Sequence, residues 1–534
     1  MKPDLSQVDP LGYNLATRTN LGDVVVRTAA LFPDRVAVVD RGEEITYARL
    51  AETVDRLGHG LRSLGLEPGT PVALTMMNSW QMLATYYACA RAGLVCMPTN
   101  FLLSADDQRW ILDDARPAAL VTDAAFRPLH EQLLPGLESV TAVVITDESD
   151  PEPVAGRDTR SWRGLVDQAP DGPVEVIVED RDTVQCLYTS GTTSRPKGVL
   201  VSHAAVHTAL LSNALAIRMS WGPNPPVMLV VLPMFHVTAL NTLSMPVILM
   251  GGTVVLVGAA FDPALSLDAM EQQRATHTMM LPMMHQACVA EQQRRQRDLS
   301  SVTTAIYAMA PMPEELLEEV DRLYPQAEVI LGSGQTEVVP ATTMQWPEHR
   351  RTAAASWGPQ AVSVLTKTMG PDGRVLGPGE TGEIVYRAPN VCSGYWNNPG
   401  ANAEAFAHGW FHSGDIGHLD EDAVIWFTDR LKDIIKSGGE NVSSVAVEAV
   451  VLGAEGVAEA SVVGVPHERW GEAVCAVVVA DGSVPEAELE ERVVAHAKQR
   501  LAGFQVPKSV VVVAELPKTA TGKILKQQVR EVVR

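Results

Sequence analysis

No two cysteines in this chain are spaced for a zinc site or a redox dithiol. The six, at positions 89, 96, 186, 288, 392 and 475, are scattered without a Cys-x-x-Cys or a Cys/His cluster. That excludes a disulfide framework as the organising principle and makes a reducing cytoplasm the expected setting. Basic charge is also scarce: 42 Lys and Arg face 64 Asp and Glu, a formal net charge of −22. Broad binding to nucleic acid or to an anionic membrane is therefore excluded, and any anionic ligand must meet locally placed positive groups. The opening residues Met1-Lys2-Pro3-Asp4-Leu5-Ser6 lack the basic-then-apolar pattern of a secretory signal. An uninterrupted membrane-length run is missing too. Residues 227–261 are apolar, but Pro233, His236, Asn241, Pro246 and Gly251-Gly252 break them into what reads as buried strands and a helix of an α/β core. There is no internal repeat and no low-complexity tract.

What is present is enough chain, 534 residues with 46% hydrophobic and 20% charged side chains, for several buried layers and more than one domain of a soluble enzyme. Leu50, Val54, Leu57, Leu61 and Leu64 trace one helical face, followed by the strand-like run at 72–76. Alternation of this kind predicts parallel sheets with helices packed outside. Loops are expected at Gly222-Pro223-Asn224-Pro225-Pro226 and at Gly370-Pro371-Asp372-Gly373. The charged cluster 429–433 separates a large body from a tail of about a hundred residues. The tail holds strand candidates at 460–465, 474–479 and 509–513 and a helix candidate at 485–499, which suits a small α+β domain.

The most informative segment is Tyr188-Thr189-Ser190-Gly191-Thr192-Thr193-Ser194-Arg195-Pro196-Lys197-Gly198-Val199. Hydroxyls, glycines and one lysine follow an apolar strand, so backbone N–H groups, O–H groups and an ammonium can converge on a polyphosphate. A P-loop is disfavoured because Pro196 precedes Lys197 and Gly198 follows it, where that motif requires Gly-Lys-Ser/Thr.

This loop resembles the signature of the adenylate-forming superfamily, which includes acyl- and aryl-CoA synthetases, luciferases and peptide-synthetase adenylation domains. Further blocks resemble the family in order: residues 232–236 (Leu-Pro-Met-Phe-His), 310–313 (Ala-Pro-Met-Pro), 334–337 (Gly-Gln-Thr-Glu), 413–415 (Ser-Gly-Asp), 429–433 (Asp-Arg-Leu-Lys-Asp) and 517–523 (Pro-Lys-Thr-Ala-Thr-Gly-Lys). The resemblance covers nearly the whole chain. It implies an α/β fold in which residues 1–431 form a large body of stacked αβ sheets plus a small β-subdomain. Residues 432–534 would form a mobile α+β lid with its hinge at Lys432.

The implied chemistry is attack of a carboxylate on the α-phosphorus of ATP, loss of pyrophosphate, and capture of the acyl-adenylate by coenzyme A. By the same resemblance, Thr189, Ser190, Gly191, Thr192, Thr193 and Lys197 would hold the β- and γ-phosphates. Gln335 would join the nucleotide site, Thr336 would contact the α-phosphate, and Glu337 would bind Mg²⁺, for which oxygen ligands are suited. Asp415 would accept from the ribose hydroxyls, with Arg430 beside it. Lys523 would bridge the acid and the α-phosphate as negative charge develops. His236, Thr238, Met309, Ala310, Ser333 and Gly334 would line the acid pocket. Lid rotation at Lys432 would withdraw Lys523 and bring Ser437, Gly438 and Gly439 to a pantetheine tunnel.

The chain departs from the family at three of these positions. Met309 stands where many relatives have Gly or Ala, Ser333 where many have an aromatic ring on the adenine, and Thr238 where aromatic-acid ligases have a larger residue. Loss of an aromatic from a base is worth roughly 1–3 kcal/mol in other nucleotide-binding proteins. The expected activity is therefore AMP-forming ligation of a hydrophobic or alicyclic carboxylic acid to CoA. Two alternatives stand beside it: an enzyme confined to thioesterification of an adenylate made by a partner enzyme, and an adenylation enzyme that loads a carrier protein. The expected partners are the small acid, ATP or the acyl-adenylate, Mg²⁺ and CoA, with no nucleic acid and no membrane span; a homodimer is left open.

Overall fold

A computed structural model describes residues 4–189, 195–258, 260–308, 312–518 and 524–533. They form two compact units. The first comprises the chain up to Thr189, Pro196–Leu365 and Arg387–Ala403; the second comprises Thr366–Tyr386 and Glu404 onward.

The first unit is built on two eight-stranded sheets. In one, the strand order is Ala341–Gln345, Glu328–Gly334, Thr304–Ala308, His277–Met280, Val227–Val230, Thr253–Leu256, Val36–Asp40 and Glu43–Thr46, antiparallel only at its two ends. In the other, Gly394–Tyr395, Lys197–Ser202 and Thr183–Thr189 pair antiparallel. Thr183–Thr189 then joins the parallel strands Val95–Pro98, Pro71–Thr75, Ala119–Thr122, Ala142–Ile145 and Asp158–Ser161. Interior parallel strands are covered on both faces, which is why Val72, Ala73 and Leu74 are all fully buried instead of alternating.

The helix foreseen at 50–64 spans Tyr47–Ser63. The Thr46 side chain caps it by accepting from the Arg49 N–H, and Leu50, Val54, Leu57 and Leu61 form its fully buried stripe. Leu64 follows as the C-cap and is only half-buried, because the stripe ends with the helix. The apolar stretch after 227 divides as expected into Val227–Val230, a seven-residue π-helix at Thr238–Ser244, a short helix Met245–Leu249 and Thr253–Leu256. No helix among the described residues is long and apolar enough to cross a membrane.

The second unit holds a four-stranded sheet, Leu365–Met369, Gly382–Arg387, Phe411–Leu419 and Ile425–Arg430. It also holds a five-stranded one. There Val457–His467 pairs antiparallel with Gly471–Ala480, which pairs parallel with Ser509–Val513. The hairpin Ile435–Ser437 and Glu440–Val442 completes this sheet. Helices Ser444–Leu452 and Glu486–Lys498 pack Val447, Val451, Leu489 and Val493 onto it around Val462, Val474, Ala476 and Val478.

Four histidines of the first unit are buried as neutral rings. Burial lowers His203 to about 3, and His130, His277 and His285 to about 4. In the unfolded chain each would take a proton below about pH 6.5. A group with a depressed folded pKa of this kind costs stability as pH falls from 6.5 towards 4, at about 1.4 kcal/mol per pH unit per proton. Urea midpoints measured at pH 7, 6 and 5 at fixed ionic strength should therefore fall with acidification. A flat profile down to pH 5 would contradict the burial of these rings.

Candidate functional site

Strand Thr183–Thr189 and strand Lys197–Ser202 are the arms of an antiparallel hairpin in which Thr189 stands opposite Lys197 and Tyr188 opposite Gly198. Its closeness demands glycine: a Cβ on Gly198 would lie 2.9 Å from the Tyr188 ring and 3.1 Å from the Cys186 sulfur. The Tyr188 hydroxyl donates to Asp114 at 2.6 Å, fixing the arm from below. The hairpin brings together the two ends of the proposed phosphate loop, Thr189 and Lys197. Ser190, Gly191, Thr192 and Thr193 between them lie outside the described residues, as do Met309, Ala310 and Lys523.

Strand Gly394–Tyr395 lies along Lys197–Ser202, with Tyr395 opposite Val199. The Lys197 ammonium sits 4.9 Å from the centre of the Tyr395 ring, a cation–π contact. On its other side the Tyr395 hydroxyl donates to Glu337 Oε1 at 2.8 Å. Burial and the neighbouring Glu337 carboxylate both push the phenol pKa upward, so Tyr395 stays a donor. Among the described residues no hydrogen bond is made to Glu337 Oε2, so one oxygen of a half-buried carboxylate remains for a ligand.

Glu337 stands on a three-residue turn, Thr336–Val338, at the end of strand Glu328–Gly334. The turn is held from several directions. The Asn390 amide donates to the Val338 carbonyl at 2.6 Å and the Asn213 amide to the Val339 carbonyl at 3.1 Å. The Cys392 N–H donates to the Glu337 carbonyl at 2.7 Å, and the Gln335 N–H to Pro340 at 2.9 Å. Val339 has φ +60°, a costly conformation for a β-branched residue that persists only where surrounding bonds impose it. Gly334 is required beside it, since a Cβ there would lie 2.0 Å from the Pro340 carbonyl oxygen. Ser333, Gly334, Gln335, Thr336 and Glu337 thus follow one another at the C-terminal end of a single strand. The Ser333 carbonyl accepts from Thr342 at 3.3 Å.

His236 and Thr238 lie at the start of the π-helix, where the Thr238 N–H donates to His236 Nδ1 at 3.4 Å. The segment before them is pinned by Asn78, which donates to the Leu232 carbonyl and accepts from the Met234 N–H, each at 2.8 Å. π-Helical turns occur frequently at functional sites.

Within the second unit, Asp415 and Arg430 face each other on adjacent strands, with Arg430 Nε 3.2 Å from Asp415 Oδ1 and the carboxylate almost wholly buried. Gly414 at φ +72° turns the chain so that its N–H donates to Glu383 at 2.9 Å. Lys432 is exposed two residues beyond the strand. Ser437 is buried, and Gly438 and Gly439, at φ +63° and +90°, form the two-residue connection of a tight hairpin. Two successive positive φ angles favour glycine, which supplies a local reason for that pair.

Two features escaped the sequence reading. Tyr395 is one; its signal is the Gly394-Tyr395-Trp396 run near the other blocks, but its partner lies 58 positions away. Trp470 is the other. Its carbonyl accepts from the Gly438 N–H at 2.8 Å, His467 stacks on its ring at 4.1 Å, and the Lys508 ammonium is 5.4 Å from the ring centre. Such an aromatic with an adjacent ammonium can receive a base and its phosphates.

The family model described as AMP-binding enzyme matches residues 25–396, and that described as AMP-binding enzyme C-terminal domain matches residues 446–523. The chain is 38% identical to a feruloyl-CoA synthase of an Amycolatopsis species over 96% of its own length and 98% of that protein's. It is 35% identical to an indoleacetate–CoA ligase of Aromatoleum aromaticum over the same shares. Among solved structures it resembles the o-succinylbenzoate CoA synthetase of Bacillus subtilis in complex with its acyl-adenylate intermediate. The TM-score there is 0.82 at 28% identity, with 95% of this chain and 97% of that one covered.

A hydrogen bond to a charged group is worth about 1.5–3 kcal/mol. Tyr395→Phe should accordingly weaken binding of manganese–ATP, measured by calorimetry, by roughly tenfold or more, and lower the urea midpoint modestly without unfolding the protein. Unaltered affinity would mean that the hydroxyl does not hold Glu337.

Proposed function

This chain belongs to the AMP-binding enzyme family, on its acyl-CoA synthetase branch, and from that premise we propose that its substrate is a hydrophobic, ring-bearing carboxylic acid, aryl or alicyclic. The names of the relatives support a ring-bearing acid, since ferulate and indoleacetate both carry one. The observation that carries the reading of the site is the convergence of Lys197, Tyr395 and Glu337 beside the ends of the phosphate loop.

In the first half-reaction a carboxylate oxygen of the acid attacks the α-phosphorus of ATP. The bond between that phosphorus and the bridging oxygen breaks, and pyrophosphate leaves. An anion here approaches a polyanion, so positive groups must stand where charge gathers. Lys197 and the hydroxyls of the loop from Thr189 hold the β- and γ-phosphates. Thr336 meets the α-phosphate, Gln335 borders the nucleotide, and Ser333 and Gly334 border the acid pocket. The free oxygen of Glu337 fits a hard divalent cation, and Mg²⁺ when bound neutralises phosphate charge. Asp415 accepts from the ribose diol with Arg430 at its side, and Lys523 stabilises the charge shared between acid and α-phosphate.

In the second half-reaction the CoA thiolate attacks the acyl carbon, a C–S bond forms, and AMP leaves with the oxygen that the acid contributed. Residues 432–534 act as the lid, pivoting at Lys432 so that Lys523 serves the first step alone. Ser437, Gly438 and Gly439 border the pantetheine arm, and Trp470 with Lys508 receives the nucleotide end of CoA. His236 and Thr238 shape the acid pocket with Met309 and Ala310.

Purified protein incubated with ferulate, indoleacetate, cyclohexanecarboxylate and octanoate, each with ATP, Mg²⁺ and CoA, should yield a thioester and an equal amount of AMP for at least one ring-bearing acid. Thioester from octanoate alone would overturn the substrate class, and acyl transfer only to a carrier protein or an amine would overturn the acceptor. Lys523→Ala should lower adenylation at least a hundredfold, a magnitude typical of removing one preorganised charge-stabilising group. Its rate with a supplied acyl-adenylate and CoA should stay within a few-fold of the parent. Equal loss of both steps would contradict the pivoting lid.

A further inference from the structure

The chain around Lys432 is pinned by bonds of two kinds. One kind joins residues before Lys432 to residues after it. Asp429, 1% exposed at the end of strand Ile425–Arg430, accepts through Oδ2 from the Ser444 N–H at 2.5 Å, the Ser444 hydroxyl at 2.7 Å and the Val445 N–H at 3.4 Å. The Ser443 hydroxyl donates to the Thr428 carbonyl at 2.7 Å. A buried carboxylate is thereby seated on the first turn of helix Ser444–Leu452, where the helix dipole and the unpaired N–H groups favour negative charge.

The other kind lies wholly after Lys432 or touches its carbonyl. Lys526, the first residue of helix Lys526–Val532, donates to the Ser444 hydroxyl at 2.5 Å and pairs with Glu448 at 2.8 Å. One turn on, Arg530 pairs with Asp433 at 2.9 Å and reaches the Lys432 carbonyl at 3.4 Å. Three residues before Lys526 stands Lys523. The helix that follows the catalytic lysine is therefore tied to the same serine that Asp429 holds.

We propose that Asp429, Ser443 and Ser444, backed by Lys526, form a latch that stabilises one of the two orientations of the chain beyond Lys432 and so sets the balance between the two half-reactions. The inference rests on Lys432 as the pivot. A large change in backbone angles there carries Ser443, Ser444 and Val445 away from Thr428 and Asp429, so these four bonds must break together and the Asp429 carboxylate must be rehydrated. The Lys526–Glu448 and Arg530–Asp433 pairs travel with the lid and survive. These are positioning residues: none is assigned to touch a substrate, and their effect comes through the population of one state.

The test is Ser444→Ala, with Asp429→Asn as a second variant should the first not fold and Ser444→Thr as the conservative control. Acid-dependent exchange of labelled pyrophosphate into ATP and thioester formation from a synthetic acyl-adenylate are measured separately. Weakening the latch should change the ratio of the two rates at least fivefold from that of the parent protein. It should also speed tryptic cleavage after Arg430 or Lys432, and Ser444→Thr should restore both. Rates that fall by one common factor, or an unchanged ratio with unchanged cleavage, would overturn the latch. Absence of both half-reactions in the parent protein would instead overturn the ligase reading on which the latch depends.

Discussion

The hydrogen bond from Tyr395 to Glu337 is the contact on which the candidate site depends, because it joins segments of two different sheets. Glu337 lies on the turn that follows a strand of one eight-stranded sheet, and Tyr395 forms the edge of the other. A carboxylate beside a lysine is cheap to draw and hard to keep at fixed distance when both are partly solvated. Here the turn is fastened through its backbone by Asn213, Asn390 and Cys392, and the tyrosine by the hairpin that also presents Lys197. The strained Val339 and the crowded Gly334 are what that fastening costs.

Electrostatics explains why so much structure surrounds so few groups. The protein as a whole repels anions, with a net charge of −22, yet its substrates are a carboxylate, a triphosphate and a thiol carrier bearing phosphates. Attraction must be local and aimed. Lys197 stands against an aromatic face and pairs with no acid among the described residues, which leaves its N–H donors available to a ligand. Arg430 is paired with Asp415 on neighbouring strands, which sets a positive group against a buried carboxylate.

Much of the architecture was legible in the sequence because apolar period and length carry it. The stripe from Leu50 to Leu61 and the strands 460–465, 474–479 and 509–513 fall inside observed elements. The π-helix at Thr238–Ser244 was not legible, since seven residues do not separate a 4.4-residue turn from a 3.6-residue one. Tyr395 was missed because its role depends on a partner far along the chain. Asp429 was read as part of a charged boundary, the usual fate of such a run, yet its carboxylate is buried under a helix N-terminus. The Gly438-Gly439 pair was read for its ligand and has a further reason in hairpin geometry.

Activation of the acid by attack on the α-phosphorus can be tested with an oxygen label, without reference to any single residue. The accepted acid is prepared with both carboxylate oxygens as oxygen-18 and turned over with ATP and CoA, and the products are weighed by mass spectrometry. The account predicts one labelled oxygen in AMP, one in the thioester and none in pyrophosphate. Unlabelled AMP, or label in released inorganic phosphate, would contradict it.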